Sequence, residues 1–182
     1  VVAGNCEEQL AAGAADCGCG FEEGSACDLL ARGWYPFAQA RLSRDQCAWM
    51  GELPSAITFR LAGRSFRVIH GGVHVTNRFV FASERDVLAE EYAQADADVV
   101  VAGHSGLPFI ARLRSGAWFN PGVIGMPAND GTPDGWYGLI DVANGAIRLA
   151  TRRLAYDHIP AAAAMRLHHA RLRLKYSSAL PS

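Results

Sequence analysis

The sequence predicts an α/β fold, in which helices pack against a sheet that contains buried parallel strands. The run Asp98-Val-Val-Val-Ala-Gly103 is apolar without alternation, which is typical of a strand buried on both faces. Helix start signals stand at Ser25, Ser43 and Ser83, each followed three residues later by Asp or Gln. We therefore expect a single α/β domain over residues 1–182, which is long enough to form one hydrophobic core.

The first third of the chain contains two capped helices and two less regular segments. Residues 1–5 resemble a strand that has already begun, without a preceding helix or cap, so we expect the chain to be N-terminally incomplete. Residues 13–24 are rich in Ala, Gly and Cys and predict a loop or lid over one end of the sheet. Helices are predicted over residues 25–42 and from 43 to just before Pro54.

The rest of the chain alternates strands, turns and helices. Two hairpins are indicated, one around Ala62-Gly63-Arg64 and one around the strong turn signal Asn144-Gly145. A capped helix begins at Ser83 and leads into the central strand. The remaining predicted elements are strands at 56–61, 65–69, 109–113, 117–119, 137–142 and 146–156, and an alanine-rich helix at 161–175.

Composition limits the classes of function. The net charge of −1 argues against general nucleic-acid binding. No apolar run approaches the roughly 20 residues that span a bilayer, so we expect a protein without a membrane segment. The odd number of five cysteines, without a Cys-x-x-Cys pair, favours reduced thiols in a cytoplasmic protein. The pair Cys17-Gly-Cys19 could still hold a metal or form a disulfide.

Three predicted strands end in a polar side chain next to glycine. Asn5 follows Gly4, His70 precedes Gly71 and Gly72, and His104 follows Gly103. Because ligands collect beyond the carboxyl ends of parallel strands, we expect Asn5, His70 and His104 to share one site. The alternative for either histidine alone is a structural residue held by hydrogen bonds.

Four motifs in order resemble the calcineurin-like metallophosphoesterase superfamily. Gly4-Asn5-Cys6-Glu7 resembles its Gly-Asn-His-Asp/Glu motif, His70-Gly71 its lone strand-end histidine, and Gly103-His104-Ser105-Gly106 its Gly-His-x-His motif. The tract from Trp118 to Pro127 is similar to the Asn-Pro-Gly segment of bacterial YfcE-like phosphodiesterases. The resemblance covers most of the chain.

The resemblance implies a four-layer α/β sandwich with a two-metal site at the strand ends. Asn5, His70 and His104 would be ligands of the second metal, which could be Mn²⁺, Fe²⁺, Zn²⁺ or Mg²⁺. The implied reaction is hydrolysis of a phosphomonoester or phosphodiester by metal-activated water, on a nucleotide-like or small organic phosphate. Residues expected to support the site without holding the metal are Gly4, Gly71, Gly103, Gly106 and Asn120.

The sequence departs from the family pattern at three points. The upstream motifs Asp-x-His and Gly-Asp are absent, so this polypeptide by itself is expected to be inactive. Cys6, the candidate catalytic residue, stands where the family has a histidine with a catalytic role, and Gly106 replaces the second histidine of Gly-His-x-His. His74 could substitute as a ligand. A rival hypothesis is therefore a degenerate, non-catalytic member that acts as a binding or scaffold module, and a third is an enzyme with one metal.

Overall fold

The computed structural model describes residues 1–124, 128 and 130–177, with the side chains of 26 and 168–177 left undescribed. The Gly125–Pro127 end of the Asn-Pro-Gly tract lies outside these residues. Among the described residues, no helix is long and apolar enough to cross a membrane. The helices and strands are α1 (Asn5–Ala12), α2 (Ala26–Gln39), α3 (Arg44–Gly51), β1 (Ala56–Leu61), β2 (Arg64–Ile69), α4 (Arg85–Ala93), β3 (Val99–Val101), β4 (Phe109–Arg112), β5 (Ala117–Asn120), β6 (Gly135–Ala143), β7 (Ala146–Leu154) and α5 (His158–Ser177).

A five-stranded sheet in the order β1-β2-β3-β5-β4 forms the centre of the molecule. The middle strand β3 runs parallel to β2 on one side and to β5 on the other. Val99 and Val100 are buried, which confirms the strand predicted from the unbroken valine run. Because β2 and β3 are parallel neighbours, the residues that follow them lie at the same edge of the sheet.

Both predicted hairpins are present, and each turns on two residues with positive φ. Ala62 and Gly63 have φ of 46° and 76°, and Asn144 and Gly145 have φ of 50° and 76°. Two central residues with positive φ match the twist of antiparallel strands, which explains why Asn-Gly is a strong hairpin signal. The two hairpins pair β1 with β2 and β6 with β7.

Adjacent residues of β5 connect the sheet to layers on its two sides. Trp118 is fully buried in a core that also contains Leu88 of α4. Phe119 lies on the other face and packs against β6, where a Cβ on Gly138 would be only 2.4 Å from the Phe119 ring. Helix α4, the five-stranded sheet and the β6–β7 hairpin therefore form successive layers.

The prediction of a strand at the N-terminus is wrong. Residues 1–4 are not in a strand, and Asn5 is the first residue of α1. Glycine at position 4 adopts an extended conformation at the N-cap, and its backbone N–H donates to Glu7 Oε2 over 2.9 Å. Ala3 donates to the carbonyl of Pro54. Ala3 and Gly4 are thus buried beside the α3–β1 connection, whereas Val1 is 81% exposed.

The helix signals at Ser25 and Ser43 are confirmed, but the one at Ser83 is not. The Ser25 hydroxyl accepts from the backbone N–H of Asp28, and the Ser43 hydroxyl from that of Gln46. Helix α4 instead begins after Glu84, which makes no side-chain capping bond. Tertiary packing of its buried Leu88 holds this helix start without a cap.

Candidate functional site

Asn5, His70 and His104 lie together at the carboxyl edge of β2 and β3. His70 Nε2 is 3.0 Å from Asn5 Oδ1 and 3.1 Å from His104 Nδ1. Asn5 is 4% exposed, and both imidazoles are half-buried. The three side chains predicted to share one site are therefore in contact, although Asn5 reaches it from a helix start and not from a strand end.

The orientation of the Asn5 amide is fixed by its neighbours. Its Nδ2 donates to the carbonyl oxygen of Cys17 over 2.9 Å and to Cys19 Sγ over 3.3 Å. A carbonyl oxygen can only accept, so the amide nitrogen must face Cys17 and the oxygen must face His70. A lone pair of Asn5 Oδ1 is thus directed toward His70 Nε2.

The electrostatic environment keeps both histidines neutral at pH 7. Burial lowers the pKa of His70, while Glu7 and Glu8 act in the opposite direction. For His104, burial and then the proximity of His70 lower the pKa to about 4, against a smaller raising effect from the main chain of Cys19 and Asn77. A neutral imidazole keeps a free lone pair, which is the form that binds a metal.

His104 is held in a strained backbone conformation. Its φ is 57°, a left-handed value that few residues other than glycine adopt. The preceding Gly103 donates its N–H to the carbonyl of His70 over 2.7 Å, which extends the β2–β3 contact beyond the strands. The resulting bend brings His104 back over His70. Such strain persists only where the surrounding structure fixes it, and it is common at functional sites.

Two glycines make room for this arrangement. A Cβ on Gly4 would lie 2.7 Å from the His70 ring, and a Cβ on Gly71 would lie 2.3 Å from the carbonyl oxygen of Thr76. Neither position tolerates a side chain without displacing a neighbour. Both were predicted as site-supporting residues. Gly4 lies against the His70 ring, and Gly71 follows His70 in the chain.

Asn120 supports the His104 loop from the neighbouring strand. Its side chain is 1% exposed, and its Nδ2 donates to the Gly103 carbonyl over 3.0 Å and to Ser105 Oγ over 2.9 Å. Its Oδ1 accepts from the backbone N–H of Gly122. These contacts place Asn120 behind the loop and not in the group of candidate ligands, as expected for a supporting residue.

Two separations between the donor atoms match those around one divalent metal ion. Ligands bonded at about 2.1 Å and at right angles around a metal are about 3.0 Å apart. Asn5 Oδ1 and His104 Nδ1 lie at 3.0 Å and 3.1 Å from His70 Nε2. When no ion is bound, a proton on His70 Nε2 would form hydrogen bonds to Asn5 Oδ1 and His104 Nδ1. Within the described ranges, no group of three or more His, Cys, Asp or Glu side chains could hold a metal, so the amide oxygen of Asn5 is needed to complete a donor set.

The other predicted site residues differ in their surroundings. His74 is exposed, and it belongs to no metal-capable group in the described part of the chain. Cys6 lies beside Asn5, with its Sγ 3.6 Å from Asn5 Nδ2, and burial raises the pKa of its thiol. Gly106 is buried and has a φ of 69°. The catalytic role of Cys6 stays a prediction.

The cysteines are not all reduced, contrary to expectation. Cys17 and Cys19 form a disulfide, while Cys6, Cys27 and Cys47 are free. Gly18 between the bonded pair has a φ of 59°, so the chain turns and the two Cα atoms come within 5.3 Å, a usual separation for a disulfide. Counting cysteines could not reveal this local turn.

A buried carboxylate that the sequence did not single out organises the loop after His70. Glu91 is 6% exposed, accepts from the backbone N–H of Val73 over 2.7 Å and pairs with Arg78 Nε at 3.1 Å. The loop also contacts α1, since Thr76 donates to Glu8. It contacts the turn between Cys17 and Cys19, since Asn77 donates to the Gly18 carbonyl. A carboxylate in an amphipathic helix normally indicates a solvated face, so no sequence signal marked it.

Replacing Glu91 by alanine should lower the free energy of unfolding by about 2 kcal/mol, because it leaves a buried N–H at Val73 without an acceptor. The ion pair should contribute less, since the Arg78 side chain is 37% exposed. Glu91→Gln keeps an acceptor for Val73 and should lose less than half as much. Urea unfolding followed by circular dichroism measures both, and equal losses would contradict this account.

Comparisons with known proteins agree with the fold and the motifs. A metallophosphoesterase from Sphaerobacter thermophilus is similar over 92% of this chain and 71% of its own, with 17% identity and a TM-score of 0.64. A hypothetical protein from Pyrococcus horikoshii is similar over 93% of this chain and 68% of its own, with 13% identity and a TM-score of 0.69. At these identities the likeness shows the fold, and it confirms the predicted metallophosphoesterase architecture.

A family model gives the assignment at the level of sequence. No curated protein matches the chain. The model of the calcineurin-like phosphoesterase superfamily domain matches residues 1–145, which contain all the motifs quoted above. The family resemblance predicted from those motifs is thus confirmed, and the chain belongs to the calcineurin-like phosphoesterase superfamily.

Proposed function

We propose that the full-length protein is a metal-dependent phosphoesterase that hydrolyses a small phosphomonoester or phosphodiester. The observation that carries this proposal is that His70 Nε2 lies 3.0 Å from Asn5 Oδ1 and 3.1 Å from His104 Nδ1. The superfamily is generally hydrolytic, and the donor set suits Mn²⁺, Fe²⁺ or Zn²⁺. A nucleotide-like or small organic phosphate is the proposed substrate.

The residues of this chain would have distinct parts in that reaction. Asn5, His70 and His104 would hold the metal, and the amide contact to Cys17 keeps the Asn5 oxygen in position. A metal held there would lower the pKa of water and neutralise charge on a phosphate. Asn120 fixes the His104 loop, and Cys6, whose Sγ lies 3.6 Å from Asn5 Nδ2, would be the catalytic residue.

Hydrolysis of bis(p-nitrophenyl) phosphate and of p-nitrophenyl phosphate by the full-length protein in Mn²⁺ tests the proposal. We expect the activity of His70→Ala to be at least about 100-fold lower. The loss of a residue that only hydrogen-bonds a metal ligand already lowers activity about 10–100-fold. His158→Ala, which changes a histidine of α5 outside the cluster, is the matched control. Activity that survives His70→Ala, or its absence in the wild type, would overturn the proposal.

A second candidate function is a non-catalytic binding or scaffold module of the same fold. The observation that favours it is Gly106, which takes the place of a family histidine and has no side chain to bind a metal. Its φ of 69° also disfavours a larger residue there. Under this hypothesis the wild-type protein would bind Mn²⁺ weakly or not at all and would hydrolyse neither ester. The enzyme hypothesis requires both Mn²⁺ binding and hydrolysis.

A further inference from the structure

A free thiol lies against the disulfide at the candidate site. Cys6 Sγ is 4.0 Å from Cys19 Sγ, which is close to van der Waals contact, and Cys19 is already bonded to Cys17. Cys17 is 5% exposed, and Cys6 and Cys19 are half-buried. Disulfides exchange when a thiolate attacks one of the two bonded sulfurs, and Cys6 Sγ is within reach of one of them.

We propose that Cys6, Cys17 and Cys19 form a thiol–disulfide exchange site that holds the amide of Asn5. In the exchange, the Cys6 sulfur, as thiolate, attacks Cys19 Sγ. The Cys6–Cys19 bond forms as the Cys17–Cys19 bond breaks, and the electron pair of the broken bond leaves on Cys17. Cys17 takes up one proton for the one that Cys6 has lost, so the step needs no external oxidant or reductant.

The exchange site is joined to the metal-ligand cluster through Asn5. The Asn5 Nδ2 atom contacts Cys17 O at 2.9 Å, Cys19 Sγ at 3.3 Å and Cys6 Sγ at 3.6 Å. In the Cys17–Cys19 isomer, the disulfide constrains the carbonyl that orients the amide. In the Cys6–Cys19 isomer, Cys17 is no longer tied to Cys19, so the Asn5 oxygen is less firmly directed at His70.

This coupling has a thermodynamic consequence. If one isomer holds Asn5 better for a metal, the metal must in turn favour that isomer by the same factor. We therefore expect Mn²⁺ to enrich the Cys17–Cys19 isomer. The exchange itself does not depend on the proposed phosphoesterase activity, and only this effect of Mn²⁺ depends on the assignment of Asn5 as a ligand.

Disulfide mapping of the wild-type protein tests the proposal. The protein is incubated without reductant at pH 8, quenched with acid, alkylated with N-ethylmaleimide and digested without reduction by a glutamate-specific protease. Cleavage after Glu7, Glu8 and Glu22 separates Cys6 from the peptide that contains Cys17 and Cys19. The Cys6–Cys19 isomer then appears as two linked peptides with an alkylated Cys17, whereas the other isomer leaves the peptides separate.

We expect the linked peptides in the wild type, and a decrease of about fivefold or more in Mn²⁺, the lower end of typical coupling between two sites. Cys27 and Cys47, which are free, should be alkylated throughout and serve as internal controls. Linked peptides that do not respond to Mn²⁺ would overturn the connection to Asn5. Links that involve Cys27 or Cys47 equally would show unspecific oxidation and overturn the site.

Two variants make the result independent of the wild-type equilibrium. Cys17→Ser leaves Cys6 and Cys19 as free neighbours, and mild treatment with oxidised glutathione should join them. Cys47→Ser should give the wild-type pattern. The absence of linked peptides both in the wild type and in oxidised Cys17→Ser overturns the proposal. If Cys17→Ser does not fold, the wild-type map alone decides.

Discussion

Replacing His104 by alanine is expected to lower the affinity for Mn²⁺ at least about 100-fold. His104 would supply one of the three candidate donor atoms. The loss of a residue that only hydrogen-bonds a metal ligand already lowers metal affinity about 10–100-fold. Its pKa of about 4 means that the wild-type imidazole is unprotonated at pH 7, so that no proton competes with the ion for its lone pair. Isothermal titration calorimetry with Mn²⁺ measures the change.

The backbone strain at His104 calls for a second variant. Alanine would retain the unfavourable φ of 57°, whereas glycine adopts such values freely. His104→Gly should therefore lose the metal as His104→Ala does, but without its cost in folding stability. His158→Ala is the control for the removal of a histidine elsewhere. The control should bind Mn²⁺ as the wild type does. If both His104 variants do so as well, His104 is not a ligand.

Replacing Trp118 by alanine should lower the free energy of unfolding by about 3–5 kcal/mol, the usual cost of emptying a large buried aromatic site. Trp118 is fully buried in the core between the five-stranded sheet and α4. Its indole Nε1 has no hydrogen-bond partner among the described residues. Trp118→Phe, which keeps most of the ring and loses no hydrogen bond, should therefore cost less than half as much.

Urea unfolding followed by circular dichroism checks both Trp118 variants. The matched control is Trp49→Ala, because Trp49 is the same residue type but 52% exposed on α3. That substitution should change stability by about 0.5 kcal/mol or less. Equal effects at Trp49 and Trp118 would contradict the placement of the core. Asn120 follows Trp118 on β5, so the Trp118→Ala protein should also bind Mn²⁺ less tightly.

Features that depend on neighbouring residues were predicted well from sequence. The valine run at Val99 identified the central strand, since a strand covered on both faces has no polar alternation. The Asn144-Gly145 turn and the Ser43 cap followed from the backbone preferences of two to four residues. The family motifs singled out Asn5, His70 and His104, which lie together, because a motif preserves residue type and order. Their role as metal ligands stays a prediction.

Several features that depend on distant segments were not predicted. Ser83 looked like a cap, but the helix start was decided by packing of Leu88 in the core. Glu91 carried no sequence signal, and it is buried because the loop after His70 folds over it. His74, offered as a substitute ligand, is exposed, because its position depends on how that loop turns and not on its distance from His70 in sequence.

The sequence by itself determined the family, the central strand and the side chains expected at the candidate site. Only the tertiary structure decided that Asn5 reaches the site from the start of a helix, with its amide oriented by Cys17 and Cys19. The physical reason is range: a motif records residues within a few positions, whereas the direction of the Asn5 oxygen depends on an acceptor 12 residues away and a histidine 65 residues away. Contacts at that separation form only when the sheet and α1 have packed together.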